Sequence, residues 1–392
     1  MIRGKVDLRA LFLSAYYLTF YLCRFNFVPV MPLLLSDFNV AYSQGGLVGS
    51  FLFLGYSITL TLAGVMSDIF GAVIIIVMGA FISSISNFLT SMASSFLQLM
   101  FLALMNGLGQ GMVWPSLMSL TVNMYESEKV DYVIGAMLTA AIVGPPVTFS
   151  LIGAVATSYG WRLGFVVPAL ILIAFTLIFL KIFRGADYPK RRFFRQYNIK
   201  QALVNENVWL LGLTYTCFYF IVRGFTSWMP TYFTEKYGMT VMSASLLSGA
   251  YLLMNVVGAF AGTWIANVKL KGDKRKVMLV SLFLSSVINA ILMLNDRLDI
   301  FLLPFLFLSL SLCEWFFFSL VPLITSREFS GTASGIIDAL GYLGGFLGTY
   351  FIGWFYDLKL SYSSLFLTFF ILTSVATFMT FLIKTEASHR SR

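Results

Sequence analysis

Arg24 and Arg223 each lie near the middle of an apolar stretch, residues 8–35 and 208–233, long enough to cross a bilayer. An arginine at that depth costs at least about 2.5–3.5 kcal/mol on insertion scales, so its guanidinium must face an internal cavity or a partner. The planar fork of N–H donors forms bidentate, charge-assisted hydrogen bonds to phosphate or carboxylate oxygens. The chemistry on offer is therefore anion binding, and two forks suit a dianion. Arg24 is followed by Met31-Pro32 and Arg223 by Met229-Pro230, and 223 − 24 = 199 residues separate the arginines in a chain of 392. That echo points to two homologous halves facing one site. Glu314 and Asp338, in later apolar stretches, are the acids available either to pair with these arginines or to carry a proton.

Tyr21 and Tyr219 fall about one turn before Arg24 and Arg223, so each can share its arginine's helix face and offer a hydroxyl to the anion. Trp114 and Asn255 are further candidates for lining the site, whereas Trp228 and Trp315 suit packing or interfacial duty as well. Cys23, Cys217 and Cys313 all fall in apolar stretches, where a thiol behaves as a small hydrophobe, and His389, the one histidine, belongs to the polar tail. No clustered His, Cys or carboxylates with catalytic or metal-ligand spacing occur, and no phosphate-binding G-x-x-x-x-G-K-[ST] loop. The chain is thus not expected to be an enzyme, to need a cofactor or to hydrolyse nucleotides. A gradient is the expected driving force.

The elements that must position these residues follow from composition. With 59% hydrophobic and 11% charged residues, the chain is an all-α membrane protein and not a soluble domain. Twelve spans are expected at about 9–34, 43–66, 73–91, 95–122, 132–156, 162–184, 207–233, 241–267, 277–295, 299–325, 333–357 and 361–384. They are numbered 1 to 12 below. The first carries no small-residue cleavage site after it and reads as a retained helix. The halves are 1–184 and 207–392, and the polar segment 185–206 is a linker with room for a short amphipathic helix.

Arg3, Lys5, Arg9, Lys190, Arg191, Arg192, Arg195, Lys200, Lys269, Lys271, Lys274, Arg275, Lys276, Arg390 and Arg392 gather on one side of this topology, against Arg162, Lys236, Arg297 and Lys359 on the other. By the positive-inside rule both termini and the linker are cytoplasmic, in a multi-pass protein of the cell membrane. The net charge of +9 is then a product of topology, and a nucleic-acid partner is not needed to account for it. The expected partners are the lipid bilayer and a small anionic substrate, with the chain acting as a monomer. The clusters Gly107-Leu108-Gly109-Gln110-Gly111 and Gly341-Tyr342-Leu343-Gly344-Gly345 allow close helix approach and are expected at moving interfaces between the halves. Gly144-Pro145-Pro146 in span 5 is expected to bend that helix.

The loop after span 2 reads Gly64-Val65-Met66-Ser67-Asp68-Ile69-Phe70-Gly71, a remnant of the G-x-x-x-D-R-x-G-R signature of the major facilitator superfamily with its arginines missing. Asp68 is expected to cap the next helix. Residues 21–35 (YLCRFNFVPVMPLLL) and 222–238 (VRGFTSWMPTYFTEKYG) resemble spans one and seven of the organophosphate:phosphate antiporters. Gln110-Gly111-Met112-Val113-Trp114-Pro115 and Gly331-Thr332-Ala333-Ser334-Gly335 match further stretches, in the same order along the chain. The resemblance implies the twelve-helix fold with two pseudo-symmetric halves, alternating access, and phosphate binding by the arginines that match Arg24 and Arg223. It implies exchange of an organophosphate for inorganic phosphate.

Departures keep other readings open. Phe25 and Leu60 stand where glycerol-3-phosphate carriers have lysines, residues 138–143 contain no histidine, and Ser227 replaces an acid. Glu314 stands where their pattern is apolar. A proton-coupled symporter of an organic carboxylate, with Glu314 or Asp338 carrying the proton, is one alternative. A non-transporting sensor of a phosphate ester is another.

Overall fold

The computed structural model describes residues 7–185, 199–270, 272–325 and 330–384. Among them, twelve helices are long and apolar enough to cross a membrane: Leu8–Phe38, Tyr42–Phe70, Ala72–Thr90, Phe96–Met124, Lys129–Tyr159, Leu163–Phe183, Glu206–Tyr237, Val241–Lys269, Lys274–Leu294, Asp296–Ser319, Ser330–Asp357 and Tyr362–Leu382. They correspond one to one with the twelve expected spans. Arg3, Lys5, the run Lys190 to Arg195, Lys271, His389, Arg390 and Arg392 lie outside the described residues. Within the linker the helix Ile199–Val204 is present.

Local chemistry sets several helix ends. Asp7 Oδ1 accepts from the backbone N–H of Arg9 (2.9 Å) and Ala10 (3.3 Å), capping span 1. Ser95 and Gln98 form a reciprocal capping box at the start of span 4. Lys274 Nζ donates to Ser319 O (3.2 Å), and Arg275 donates to Thr380 O (3.1 Å) and Phe381 O, so cations of this loop sit on the carbonyl ends of spans 10 and 12.

One expectation about a helix end is corrected. Among the described residues Asp68 caps no helix: the span 2 helix runs on through Phe70, which leaves Asp68 exposed in its last turn, and Gly71 at φ +94° takes the cap position of span 3. Pro145 and Pro146 do not interrupt their helix, which is continuous over Ser127–Tyr159. The helical ladder breaks elsewhere, at Asn26 in span 1, Met112 in span 4, Leu253 in span 8 and residues 312–315 in span 10.

The glycine clusters do mark close approaches, but inside each half. A Cβ on Gly107 would lie 2.1 Å from Leu52 O of span 2, and one on Gly109 2.7 Å from Gly79 O of span 3. Gly344 and Gly348 meet Thr216 O and Phe220 O of span 7 in the same way, at 2.1 and 2.2 Å. Backbone lies against backbone at these places with no side chain between, so the expected location between the halves is corrected to packing within each half.

The described residues group into two compact units, one within 1–41, 47–193 and 227–249, the other within 42–46, 194–226 and 250–392. Specific contacts account for the two exchanged pieces. In the second unit, both carboxylate oxygens of Asp357 accept the N–H groups of Tyr42 (2.8 Å) and Ser43 (2.9 Å) at the start of span 2. The Tyr42 and Tyr356 rings stack there at 5.2 Å, and a Cβ on Gly46 would be 2.6 Å from Thr349 O. In the first unit, Gly153 abuts Ser245 and Gly249 abuts Pro146.

Candidate functional site

In the first unit the interruption of span 1 builds the surroundings of Arg24. Pro29 has no N–H to give to Phe25 O, and the helix Leu8–Phe25 ends at Asn26 before Phe27–Phe38 resumes. The carbonyl of Cys23 is then taken by side-chain amides, Asn106 Nδ2 at 2.8 Å and Asn87 Nδ2 at 3.3 Å. Asn26 Nδ2 donates to Asn87 Oδ1 (2.7 Å) and Gly164 O (3.2 Å). Ser83 Oγ donates to Asn106 Oδ1 (2.6 Å) and accepts from Gln110 Nε2 (2.8 Å). Gln110 Nε2 also donates to Phe20 O at 3.0 Å. With both amide hydrogens committed, Gln110 must present its oxygen to Arg24, whose Nε donates to it at 3.1 Å. A buried amide network thereby aims a guanidinium that is 3% exposed.

Aromatic faces complete this half. The rings of Tyr21 and Tyr56 each lie 4.6 Å from Arg24 Cζ, within cation–π range. Tyr21 is edge-on to Tyr17 (5.3 Å), and Tyr17 stacks on Trp114 (5.2 Å). Gly144 has its explanation here, since a Cβ would fall 2.6 Å from Tyr21 Cβ. Span 5 reaches Tyr21 because that position has no side chain.

In the second unit, Arg223 sits in the uninterrupted helix Glu206–Tyr237. Its Nη2 donates to Tyr219 Oη at 3.1 Å, its Cζ is 4.7 Å from the Tyr219 ring, and Glu314 Oε1 is 3.6 Å from Nη2. Glu314 owes its position to the break in span 10, where tight turns bond Cys313 N to Leu310 O (3.3 Å) and Glu314 N to Ser311 O (3.4 Å). Gly258 and Gly262 of span 8 bear on Ser311 and Leu312 at that break. Tyr219 packs on Tyr215 at 4.2 Å and edge-on to Tyr342 at 5.4 Å. Gly341 lets span 11 close on Tyr215, and Asp338, one turn before Tyr342, lies within the field of Arg223.

Each expected residue is thus placed. Tyr21 and Trp114 belong with Arg24, and Tyr219, Glu314 and Asp338 with Arg223. Asn255 is half-buried just past the break in span 8 and makes no side-chain hydrogen bond among the described residues. Trp228 is fully buried. Gln110, Tyr56 and Tyr17 were not singled out as site residues. The signal for Gln110 is its place beside Gly109 and Gly111, which keep span 4 against spans 2 and 3; Tyr56 carries no signal that separates it from the other tyrosines.

The sequence profile of the Major Facilitator Superfamily matches residues 13–349. The chain belongs to the major facilitator superfamily. This facilitator is 21% identical over 369 residues to the hexuronate transporter of Bacillus subtilis, covering 88% of this chain and 87% of that protein. It is 24% identical over 375 residues to a probable hexose phosphate transport protein of Chlamydia trachomatis, with 86% and 82% coverage. The same fold occurs in a bacterial homolog of the human lysosomal transporter Spinster, solved in an inward-facing and occupied conformation, with a TM-score of 0.76 at 16% identity over 97% of both chains. These relatives are transporters by name, in line with the reading of the sequence as a transporter and not an enzyme.

Proposed function

We propose that this facilitator is a secondary active transporter of a small organic anion, an organophosphate exchanged for inorganic phosphate, and that Arg24 and Arg223 bind that anion. The observation that carries this reading is a repeated local build. In each half a mid-span arginine lies over the ring of a tyrosine about one turn earlier, at 4.6 Å for Tyr21 and 4.7 Å for Tyr219. Guanidinium groups held by tyrosine faces and by Gln110 are preorganised, which lowers the entropy lost on gripping a phosphate. The halves 1–184 and 207–392 would rock about the site to expose it to either side in turn. The similarity to a probable hexose phosphate transport protein supports an organophosphate substrate.

The hexuronate transporter among the relatives favours a second reading, in which the anion is an organic carboxylate. Proteoliposome counterflow separates the two. Vesicles loaded with inorganic phosphate should take up a labelled phosphate monoester and leave glucuronate outside. Uptake of glucuronate with no response to phosphate would replace the first reading by the second.

Orientation forms part of the proposal, with both termini and the linker cytoplasmic. A reporter fused after Lys200 or Lys274 should read as cytoplasmic, and one within 295–299 as external. A cytoplasmic signal from 295–299 would overturn that orientation.

A further inference from the structure

Two acids share one arginine in the second unit. Glu314 Oε1 is 3.6 Å from Arg223 Nη2, and Asp338 lies one helical turn before Tyr342, whose ring meets that of Tyr219, the acceptor of the Arg223 Nη2 hydrogen bond, edge-on at 5.4 Å. Among the described residues, the other titratable groups facing these acids are Tyr215 and Tyr219 of span 7, Cys313 of span 10 and Tyr342 of span 11. None of these brings a charge of its own near neutral pH. With both acids ionised, the group carries +1 − 1 − 1 = −1.

Such a group repels the anion that Arg223 is to receive. Glu314 also occupies part of the guanidinium fork, and with its side chain only 22% exposed it would be left as a poorly solvated charge once an anion displaced it. One proton brings the group to 0 and a second to +1; a proton on Glu314 removes both obstacles together, and one on Asp338 removes the first. We infer that Glu314 and Asp338 make anion binding at Arg223 proceed with proton uptake, so that anion and proton load together, an inference that rests on Arg223 being an anion-binding residue. The proton comes from the water on the side to which the site is open and leaves with the anion on the other side. Anion exchange then moves equal numbers of protons both ways, whereas net uptake is driven by a proton gradient.

The test uses the purified full-length protein and sulfoacetate, whose sulfonate and carboxylate are both ionised throughout pH 6–8, so that any pH dependence belongs to the protein. Its Kd should tighten about tenfold per unit fall in pH for each proton linked to binding. Calorimetry in two buffers of different ionisation heat should report about one proton taken up per anion. Glu314→Gln/Asp338→Asn should bind with a Kd independent of pH and without proton uptake. Equal wild-type Kd at pH 6 and 8 with no proton uptake would overturn the inference and leave the anion site standing, as would unchanged proton uptake by the double variant. Should that variant not fold, the wild-type measurements decide. Failure of sulfoacetate, inorganic phosphate and glycerol 3-phosphate to bind at any pH would remove the anion site itself, and this inference with it.

Discussion

Arg24→Lys and Arg223→Lys are each expected to abolish uptake while leaving the amount of folded protein unchanged. Lysine keeps the charge but loses the planar fork. At position 24 it also loses the Nε donor that Gln110 Oε1 takes at 3.1 Å, and with it the plane that holds the group against Tyr21 and Tyr56. At position 223 it loses the hydrogen bond to Tyr219 Oη. One charge-assisted hydrogen bond contributes about 1.5–3 kcal/mol. At ~1.4 kcal/mol per factor of ten, each lost bond to the anion should weaken binding roughly 10- to 100-fold. Binding and initial uptake rates of the two variants, with size-exclusion profiles as the folding control, provide the check. Wild-type rates in either variant would remove that arginine from the site.

Gly107→Val and Gly344→Val are expected to prevent folding, because the added Cβ would lie 2.1 Å from a backbone oxygen of the neighbouring helix, Leu52 O or Thr216 O. Overpacking of a core ordinarily costs about 1–3 kcal/mol, and here the obstacle is backbone, which cannot rotate aside. Gly135→Ala and Gly335→Ala, in helices where nothing lies within 4 Å of the new Cβ, should be neutral or stabilise by up to roughly 1 kcal/mol. Thermal melting in detergent compares the four. Similar melting temperatures for all of them would mean that the tight seams do not hold the two units together internally.

Twelve spans were legible because each is a long apolar run bounded by polar residues, a signal that needs no knowledge of neighbours. The arginines were legible for the opposite reason, since a charge in such a run is conspicuous. The amide network was not: Asn26, Asn87, Asn106 and Ser83 are single polar residues in apolar helices, and sequence does not say that four such residues from three spans meet at Cys23 O and Gln110. The glycines announced close approach without naming the partner helix, which is why contacts within each half were read as contacts between the halves. Asp68 failed as a cap because helix ends depend on a turn or two of propagation, and span 2 propagates past it to Phe70. Span 10 hid its break, since residues 312–315 include neither glycine nor proline, yet that break sets where Glu314 meets Arg223.

The cap on span 2 bears on how the chain is made. The acceptor for the Tyr42 and Ser43 N–H groups is Asp357, which lies 315 and 314 residues later in the sequence. At synthesis rates of roughly 5–20 residues per second, those two donors are exposed for about 15–60 s before their acceptor leaves the ribosome. Until then water or lipid headgroups must bond them, and the first turn of span 2 frays as an uncapped helix end does. The tenth hydrophobic segment and most of the eleventh must be inserted before that turn closes, which makes its closure one of the last events of assembly. The beginning of this transporter is therefore finished by its end, and a truncation just before Asp357 would leave a defect in span 2.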